Sequence, residues 1–252
     1  MEDKKVIWIT GASSGIGKAL SIKFANEGWI VAASARRDNL LEELNHISKN
    51  IHSFPLDVTE IDKCKIVAKN IIDQFGDINV CVFGTGMHDP KSEKVFNLDK
   101  IRKIMEVNYF GTMNSINSIY GYFSEKKNGQ ISIISSVAGY RGLPAAGAYC
   151  ASKAGLLGLT RAVALEGADR GVTCTAVSPT WVETEMLQNS IKKMAEQSGK
   201  TPESQKEEIA AANPQHRLVQ PQEIAELVSF LCSDLSPALT MEDIQVNAGA
   251  HW

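Results

Sequence analysis

Three side chains in the middle of this chain have the types and spacing of a proton-transfer centre. Ser136 follows the apolar run 130–135, Tyr149 lies thirteen residues further on, and Lys153 four beyond that. Tyr and Lys at i and i+4 share one helix face, about one turn apart. A Ser at the end of a preceding β-like run can face both. A phenol, an ammonium and a hydroxyl gathered at one point suit proton exchange with a carbonyl oxygen. A Tyr-x-x-x-Lys pair alone more often means a tyrosine packed on a helix surface, so the set gains its weight from the other end of the chain.

There the run Val6-Ile7-Trp8-Ile9 leads into Thr10-Gly11-Ala12-Ser13-Ser14-Gly15-Ile16-Gly17 and then a helical pattern reaching Asn26. Strand, glycine turn and helix start make an anion site: backbone N–H groups point outward and the helix dipole favours negative charge. Gly11, Gly15 and Gly17 permit the tight turn and the close approach of a pyrophosphate, with Ser13, Ser14 and Ile16 between them. The spacing is G-x-x-x-G-x-G, not the G-x-G-x-x-G of many dinucleotide sites. Glycine turns serve unrelated loops too, and the distant Ser/Tyr/Lys set is what makes this one specific.

These groups need a scaffold that brings residues 10–17 and 136–153 together. The chain has 252 residues, 44% apolar and 22% charged, which suits one large α/β unit with a real core. A net charge of −3 gives no reason to expect nucleic acid or a membrane surface. Five scattered cysteines without a C-x-x-C suggest reduced thiols in a cytoplasmic protein, and MEDKK before the first strand contains no signal peptide. None of the five histidines belongs to a metal-spaced cluster, so no metal is expected.

Strand-like runs are expected at 6–9, 30–34, 51–57, 80–84, 130–135, 172–178 and 243–247. Helical patterns fall between them at 15–27, 40–49, 59–75, 98–126, 148–170 and 222–233. Such alternation predicts a parallel sheet covered by helices on both faces, with ligands beyond the carboxyl ends of the strands. No Gly/Ser/Pro-rich linker divides the chain, so one domain is expected over 1–252. The polar stretch 186–215 interrupts the rhythm and is expected to form a mobile helical lid; a solvated pair of surface helices is the plainer alternative.

Six motifs in order resemble the short-chain dehydrogenase/reductase family over nearly the whole chain: TGASSGIG at 10–17, LDV at 56–58, VNYFG at 107–111, SSVAG at 135–139, YCASK at 149–153 and SPTWVET at 178–184. The resemblance implies a Rossmann-type doubly wound parallel sheet of about seven strands and an NAD(P)-dependent oxidoreductase. It implies that Asn108 kinks its helix and holds a water on a proton path to Lys153. It implies that Asp57 and Val58 contact adenine, that Gly84 lines the adenosine pocket, and that Pro179, Val182 and Thr184 form the loop closing on nicotinamide. A homotetramer is implied as well. The chain departs from the pattern at Phe83-Gly84-Thr85-Gly86, where N-N-A-G is usual, at Thr180 after Pro179, and at Asn247-Ala248-Gly249.

Coenzyme choice is read at the end of the second strand, where an acid binds ribose hydroxyls and a basic residue accommodates a 2′-phosphate. Ala35 stands at the acidic position and Arg36 and Arg37 follow, which favours NADP(H) over NAD(H). The basic residue often found before the second glycine is Ser14 here. In the expected chemistry Tyr149 is the general acid in reduction and the general base in oxidation. Lys153 lowers its pKa from about 10 and Ser136 donates to the substrate oxygen. Tyr149 and Lys153 also hold the nicotinamide ribose.

The substrate pocket is expected to be lined by Met87, His88, Val137, Tyr140, Leu143, Trp181 and Met186, a largely apolar wall suited to a carbonyl compound with a hydrophobic arm. Pro-x-Trp-Val is similar to 3-hydroxybutyrate dehydrogenases, but Ala138 and Ala146 occupy the places of their polar carboxylate anchors, with Arg141 either their replacement or an exposed side chain. Two alternatives stay open. One is an NAD-dependent 3-hydroxyacyl-thioester dehydrogenase whose Lys192, Lys193, Lys200 and Lys206 meet CoA phosphates. The other is a catalytically silent nucleotide-binding regulator.

Overall fold

The computed structural model describes residues 4–89 and 97–250. Seven strands form one parallel sheet: β1 (Val6–Thr10), β2 (Ile30–Ser34), β3 (Ile51–Ser53), β4 (Val80–Phe83), β5 (Gly129–Ile134), β6 (Val172–Pro179) and β7 (Asp243–Val246), in the order β3-β2-β1-β4-β5-β6-β7. The doubly wound Rossmann-type architecture expected from the sequence is the one observed. Strand order reverses between β1 and β4, so the crevice that receives ligands opens where β1 and β4 end side by side.

Successive side chains along a strand face opposite layers. Accordingly Ile7 and Ile9 join the core under α1 (Gly15–Asn26) and α9 (Pro221–Leu231), with Leu20, Phe24, Ile224 and Val228. Val6 and Trp8 join the opposite layer, with Ile71 of α3 (Ile61–Phe75) and Ile119 and Phe123 of α5 (Gly111–Lys126). Trp8 is fully buried and its indole N–H donates to Ser34 Oγ at 2.9 Å, so its one polar atom is satisfied across the β1–β2 pair. The remaining elements are α2 (Asp38–Ile47), α4 (Leu98–Met105), α6 (Gly147–Gly167), α7 (Glu185–Ser198) and α8 (Pro202–Ala212).

Three of the departures from the expected boundaries bear on the site. β3 stops at Ser53 instead of running to Asp57, although Phe54 and Leu56 N–H still donate to Ala33 and Ala35. Pro55 between them falls on the open edge of the sheet, where its missing N–H costs no ladder bond. The expected helix 98–126 is divided by a π-helical turn at Glu106–Phe110 between α4 and α5. The helix after Tyr149 ends at Gly167 and tightens into a 3₁₀ turn, Ala168–Arg170.

The polar stretch after residue 185 is well built. Thr184 caps α7, accepting from Leu187 N–H, and Thr201 caps α8 with Pro202 at its first position. Leu187, Ile191, Ile209 and Leu218 form a small core between the two helices, joined by Trp181. Among the described residues no helix is long and apolar enough to cross a membrane.

Candidate active site

The Ser136 turn and the helix carrying Tyr149 and Lys153 are pressed together. Val137–Gly139 forms a 3₁₀ turn whose first N–H groups are capped by Ser136, with Ala138 N–H donating to its Oγ at 3.1 Å. A Cβ on Gly139 would lie 3.0 Å from the backbone of Lys153, a tight contact, so the turn docks closely on α6. Ser135 Oγ adds a hydrogen bond to Lys153 O at 3.0 Å. These contacts bring the three chemical groups to the mouth of the sheet at the end of β5.

Lys153 is 4% exposed. Its ammonium donates to Ile134 O at 2.8 Å and sits 5.8 Å from the centre of the Tyr149 ring. Burial lowers its pKa to about 8, because the charged form loses water. Burial also pushes the Tyr149 phenol up, and a hydrogen bond with Ser136 pulls the other way. The sequence expectation that Lys153 depresses the phenol is therefore not met in the protein alone. The ammonium is engaged with the Ile134 carbonyl, and desolvation is the largest influence on the phenol.

Asn108 is fully buried in the π turn. Its Oδ1 accepts from Met87 N–H at 2.8 Å, and its Nδ2 donates to Met87 O at 3.0 Å and to Ser152 Oγ at 3.0 Å. One amide thus ties the loop after β4 to the helix of Tyr149. The kink expected at Asn108 is this wider turn, and Tyr109 packs on Gly155 beside it, where a Cβ would come within 3.0 Å of the ring.

The glycine turn is as tight as its sequence requires. Gly11 has φ +74°, and a Cβ there would lie 2.8 Å from the Gly84 carbonyl. The Gly84 backbone thus packs directly against the glycine turn. Ser14 precedes α1 without a side-chain cap, and the first turn holds no acidic residue, so the leading N–H groups are uncapped by side chains. Instead Ser14 Oγ accepts from Arg37 Nη2 at 2.7 Å, and Ser13 Oγ accepts from the same guanidinium at 3.2 Å. Arg37 brings a cation to the place where Ser14 replaces the usual basic residue. Its Nη1 is paired with Glu185 at 3.0 Å.

Gly11, Ser13, Ser14, Gly15, Ile16, Gly17, Arg36, Arg37, Asp57, Val58 and Gly84 line one continuous cleft. Asp57 Oδ1 is occupied by Thr59 N–H and Oγ1 at 3.0 and 2.8 Å. The cleft adjoins a second cavity, and Ile16, Gly84, Gly86, Thr184 and Met186 line both. Ser136, Tyr149, Lys153, Pro179, Val182, His88, Val137, Leu143 and Trp181 line that cavity. Two expected lining residues do not. Tyr140 turns outward, 49% exposed, with its hydroxyl on Asp243 Oδ2, and Met87 is held through its backbone by Asn108. Thr184 Oγ1 has partners inside the protein, donating to Val182 O at 3.2 Å and capping α7.

The sequence reading left out Gly86, Leu187 and Ser190, which also line the cavity. Leu187 and Ser190 lie one and four residues after Met186, a helical spacing that marks one face. A Cβ on Gly86 would come within 3.6 Å of Lys153 Nζ and 3.7 Å of Asn108 Oδ1. Among the described residues no group of three or more His, Cys, Asp or Glu side chains comes together.

The family model for short chain dehydrogenases matches residues 5–195. The chain is similar to a 3-oxoacyl-(acyl-carrier-protein) reductase of Thermotoga maritima, with 32% identity covering 97% of each chain. It is also similar to one of Staphylococcus aureus, with 30% identity over the whole of both. Among solved structures, a variant of actinorhodin polyketide ketoreductase with NADPH superimposes with a TM-score of 0.94 at 29% identity, over 99% of this chain and 98% of the other.

Proposed function

This chain belongs to the short-chain dehydrogenase/reductase family and is an NAD(P)-dependent oxidoreductase acting on a carbonyl/alcohol pair; from that premise we propose that it reduces a carbonyl compound with an apolar arm, using NADP(H) and Tyr149 as the proton donor. One observation carries the reading: Ser136, Tyr149 and Lys153 converge on a largely apolar cavity that adjoins the glycine-lined cleft.

The cleft fits a dinucleotide. Its glycine turn leaves no room for a Cβ, and the leading N–H groups of α1 are available to a pyrophosphate. Arg36 and Arg37 would hold a 2′-phosphate, Asp57, Val58 and Gly84 the adenosine, and Pro179, Val182 and Thr184 the nicotinamide end. Bound there, the coenzyme supplies the hydride.

The protein supplies the proton and the electrostatics. Tyr149 donates its hydroxyl proton to the substrate oxygen, and in the reverse direction accepts it. Ser136 donates a hydrogen bond to the same oxygen, where negative charge grows in the transition state. Lys153 holds a positive charge behind the phenol that favours its ionised form as the proton leaves. Asn108 holds the β4 loop against α6 and so fixes Gly86 beside Lys153. Helices α7 and α8, with Met186, Leu187 and Ser190 turned to the cavity, serve as its lid.

The relatives named 3-oxoacyl-(acyl-carrier-protein) reductases make a 3-oxoacyl thioester one candidate carbonyl. The NAD-linked reading with CoA phosphates has less support. Lys193 is paired with Asp89 at 3.0 Å, Lys200 with Glu208 at 2.6 Å and Lys206 with Glu183 at 2.7 Å. The assembled Ser/Tyr/Lys/Asn set argues against a silent regulator. Exposed apolar side chains on adjoining helical segments, Phe110, Met113 and Leu165, support assembly into a homotetramer. Five free thiols fit a reducing, cytoplasmic setting.

The test is NADPH oxidation with a panel of ketones, aldehydes and 3-oxoacyl thioesters. Turnover with at least one ketone is expected. Tyr149→Phe should reduce it by 10²-fold or more while coenzyme binding persists. A fully active Tyr149→Phe enzyme refutes the mechanism, and a clear preference for NADH refutes the coenzyme choice.

A further inference from the structure

The cavity lining carries polar side chains that the proposed chemistry does not use, among them Arg141, His88 and Thr180. His88 Nε2 and Thr180 Oγ1 are both buried and both lack a hydrogen-bond partner among the described residues. Each side chain lines the cavity that holds Tyr149 and Ser136. Buried polar groups are nearly always paired, because an unpaired one loses its hydrogen bonds to water and gains nothing in exchange. Two such atoms in one ligand cavity mark places where a ligand supplies the missing partner.

Their positions are specific. The His88 ring lies 4.7 Å from the Tyr149 ring, tilted by 46°, so it flanks the proton donor. Thr180 follows Pro179, whose carbonyl is 3.5 Å from Ser136 Oγ, so it flanks the other hydroxyl. Thr180 is held there by its own N–H, which donates to Val246 O at 3.0 Å. Burial and the nearby Lys193 hold the imidazole below its ordinary pKa, against the opposing pull of Asp89. A neutral ring presents one donor and one acceptor nitrogen. A threonine hydroxyl likewise donates or accepts. Each can therefore pair with a substrate oxygen, and the Arg141 guanidinium lines the same cavity.

The geometry points to His88 and Thr180 as specificity-determining residues that read a second oxygen on the substrate, carried within a few bonds of the carbonyl that Tyr149 and Ser136 engage. The substrate class is thereby narrowed, within the redox reading above, from ketones with an apolar arm to ketones bearing a neighbouring oxygen, such as that of an ester, thioester, keto or hydroxyl group. Binding a plain ketone leaves both atoms unpaired, and sites built to hydrogen-bond a group discriminate strongly against analogues that lack it.

The experiment compares kcat/KM for ethyl 3-oxobutanoate and for 2-heptanone, two methyl ketones of equal chain length that differ in the ester oxygens, with NADPH and the intact enzyme. Thr180→Val removes the hydroxyl at nearly constant shape, and His88→Phe keeps the ring beside Tyr149 without its nitrogens. In the wild-type enzyme the oxo ester is expected to win by more than tenfold. At least one of the two variants should shrink that ratio by about tenfold, with Thr180→Ser restoring it if Thr180 is the reader. A ratio unchanged in both variants overturns the inference, as does a loss equal for both ketones, which marks a purely structural role. Tyr149→Phe separates the two claims. If it stays active the redox mechanism fails, whereas an inactive Tyr149→Phe with an unmoved ratio in the other variants condemns only the assignment of His88 and Thr180.

Discussion

Lys153 Nζ lies 5.8 Å from the centre of the Tyr149 ring while it donates to the Ile134 carbonyl at 2.8 Å. The last carbonyl of β5 thus fixes where the positive charge stands relative to the phenol. The ammonium stands near the Tyr149 ring while its hydrogen bond goes to backbone.

This relationship predicts a pH limb. Burial disfavours the charged amine and lowers the Lys153 pKa to about 8, so its proton is lost as pH rises through that value. In the reductive direction kcat/KM should hold below about pH 8 and fall above it. A profile flat to pH 10 would show that the Lys153 charge is not needed.

Asn108 makes three hydrogen bonds through one buried amide, two to Met87 and one to Ser152. Asn108→Ala leaves those groups unpaired and should cost about 2–4 kcal/mol of stability. It should also lower kcat more than it raises KM for coenzyme, because Gly86 and Lys153 lose their fixed spacing. Thermal unfolding and steady-state kinetics check both. Wild-type kcat in a stable variant would contradict the role given to Asn108.

Arg37 bridges Ser14 of the glycine turn and Glu185 at the start of α7. Arg37→Ala should raise the KM for NADPH about tenfold and leave that for NADH within about twofold, the loss of a charged phosphate contact. Glu185→Gln should act oppositely on NADPH by releasing the guanidinium. The pair is exposed, so the second effect should be severalfold at most. Equal changes for both coenzymes would remove Arg37 from 2′-phosphate recognition.

Asp243, at the start of β7, accepts from Ser178 Oγ at 2.7 Å and from the Tyr140 hydroxyl. Burial nonetheless raises its pKa from 3.8 to about 7. The folded chain therefore holds a proton that the unfolded chain releases between those values, so stability falls as pH rises from about 4 to 7. Asp243→Asn should flatten this dependence, a difference on the order of 1 kcal/mol between pH 5 and pH 8, read by thermal unfolding. Parallel pH profiles for the two proteins would show that Asp243 does not titrate in this range.

Much of this protein was legible in its residues. The period-2 and helical patterns located seven strands and most of the helices, and the glycine spacing after Ile9 marked the tight turn before α1. Tyr149, Lys153 and Ser136 were readable from type and spacing. These features are local, since a strand, a helix face or a tight turn is dictated by residues within a few positions of one another. The break at 106–110 was only partly legible. A mid-helix Asn is a mild propensity defect, and the π turn forms because Asn108 finds partners on Met87 and Ser152, far along the chain.

The sequence by itself determined the fold class, the kind of chemistry and the groups able to perform it. Only the tertiary structure decided which backbone carbonyl holds Lys153, that burial governs both its pKa and that of Tyr149, and that Arg37 takes the place left by Ser14. It alone turned Tyr140 outward and left His88 and Thr180 unpaired inside the cavity. Protonation and hydrogen-bond pairing depend on burial and on neighbours from distant segments, and those are set only when the sheet brings the ends of β1, β4, β5 and β6 together.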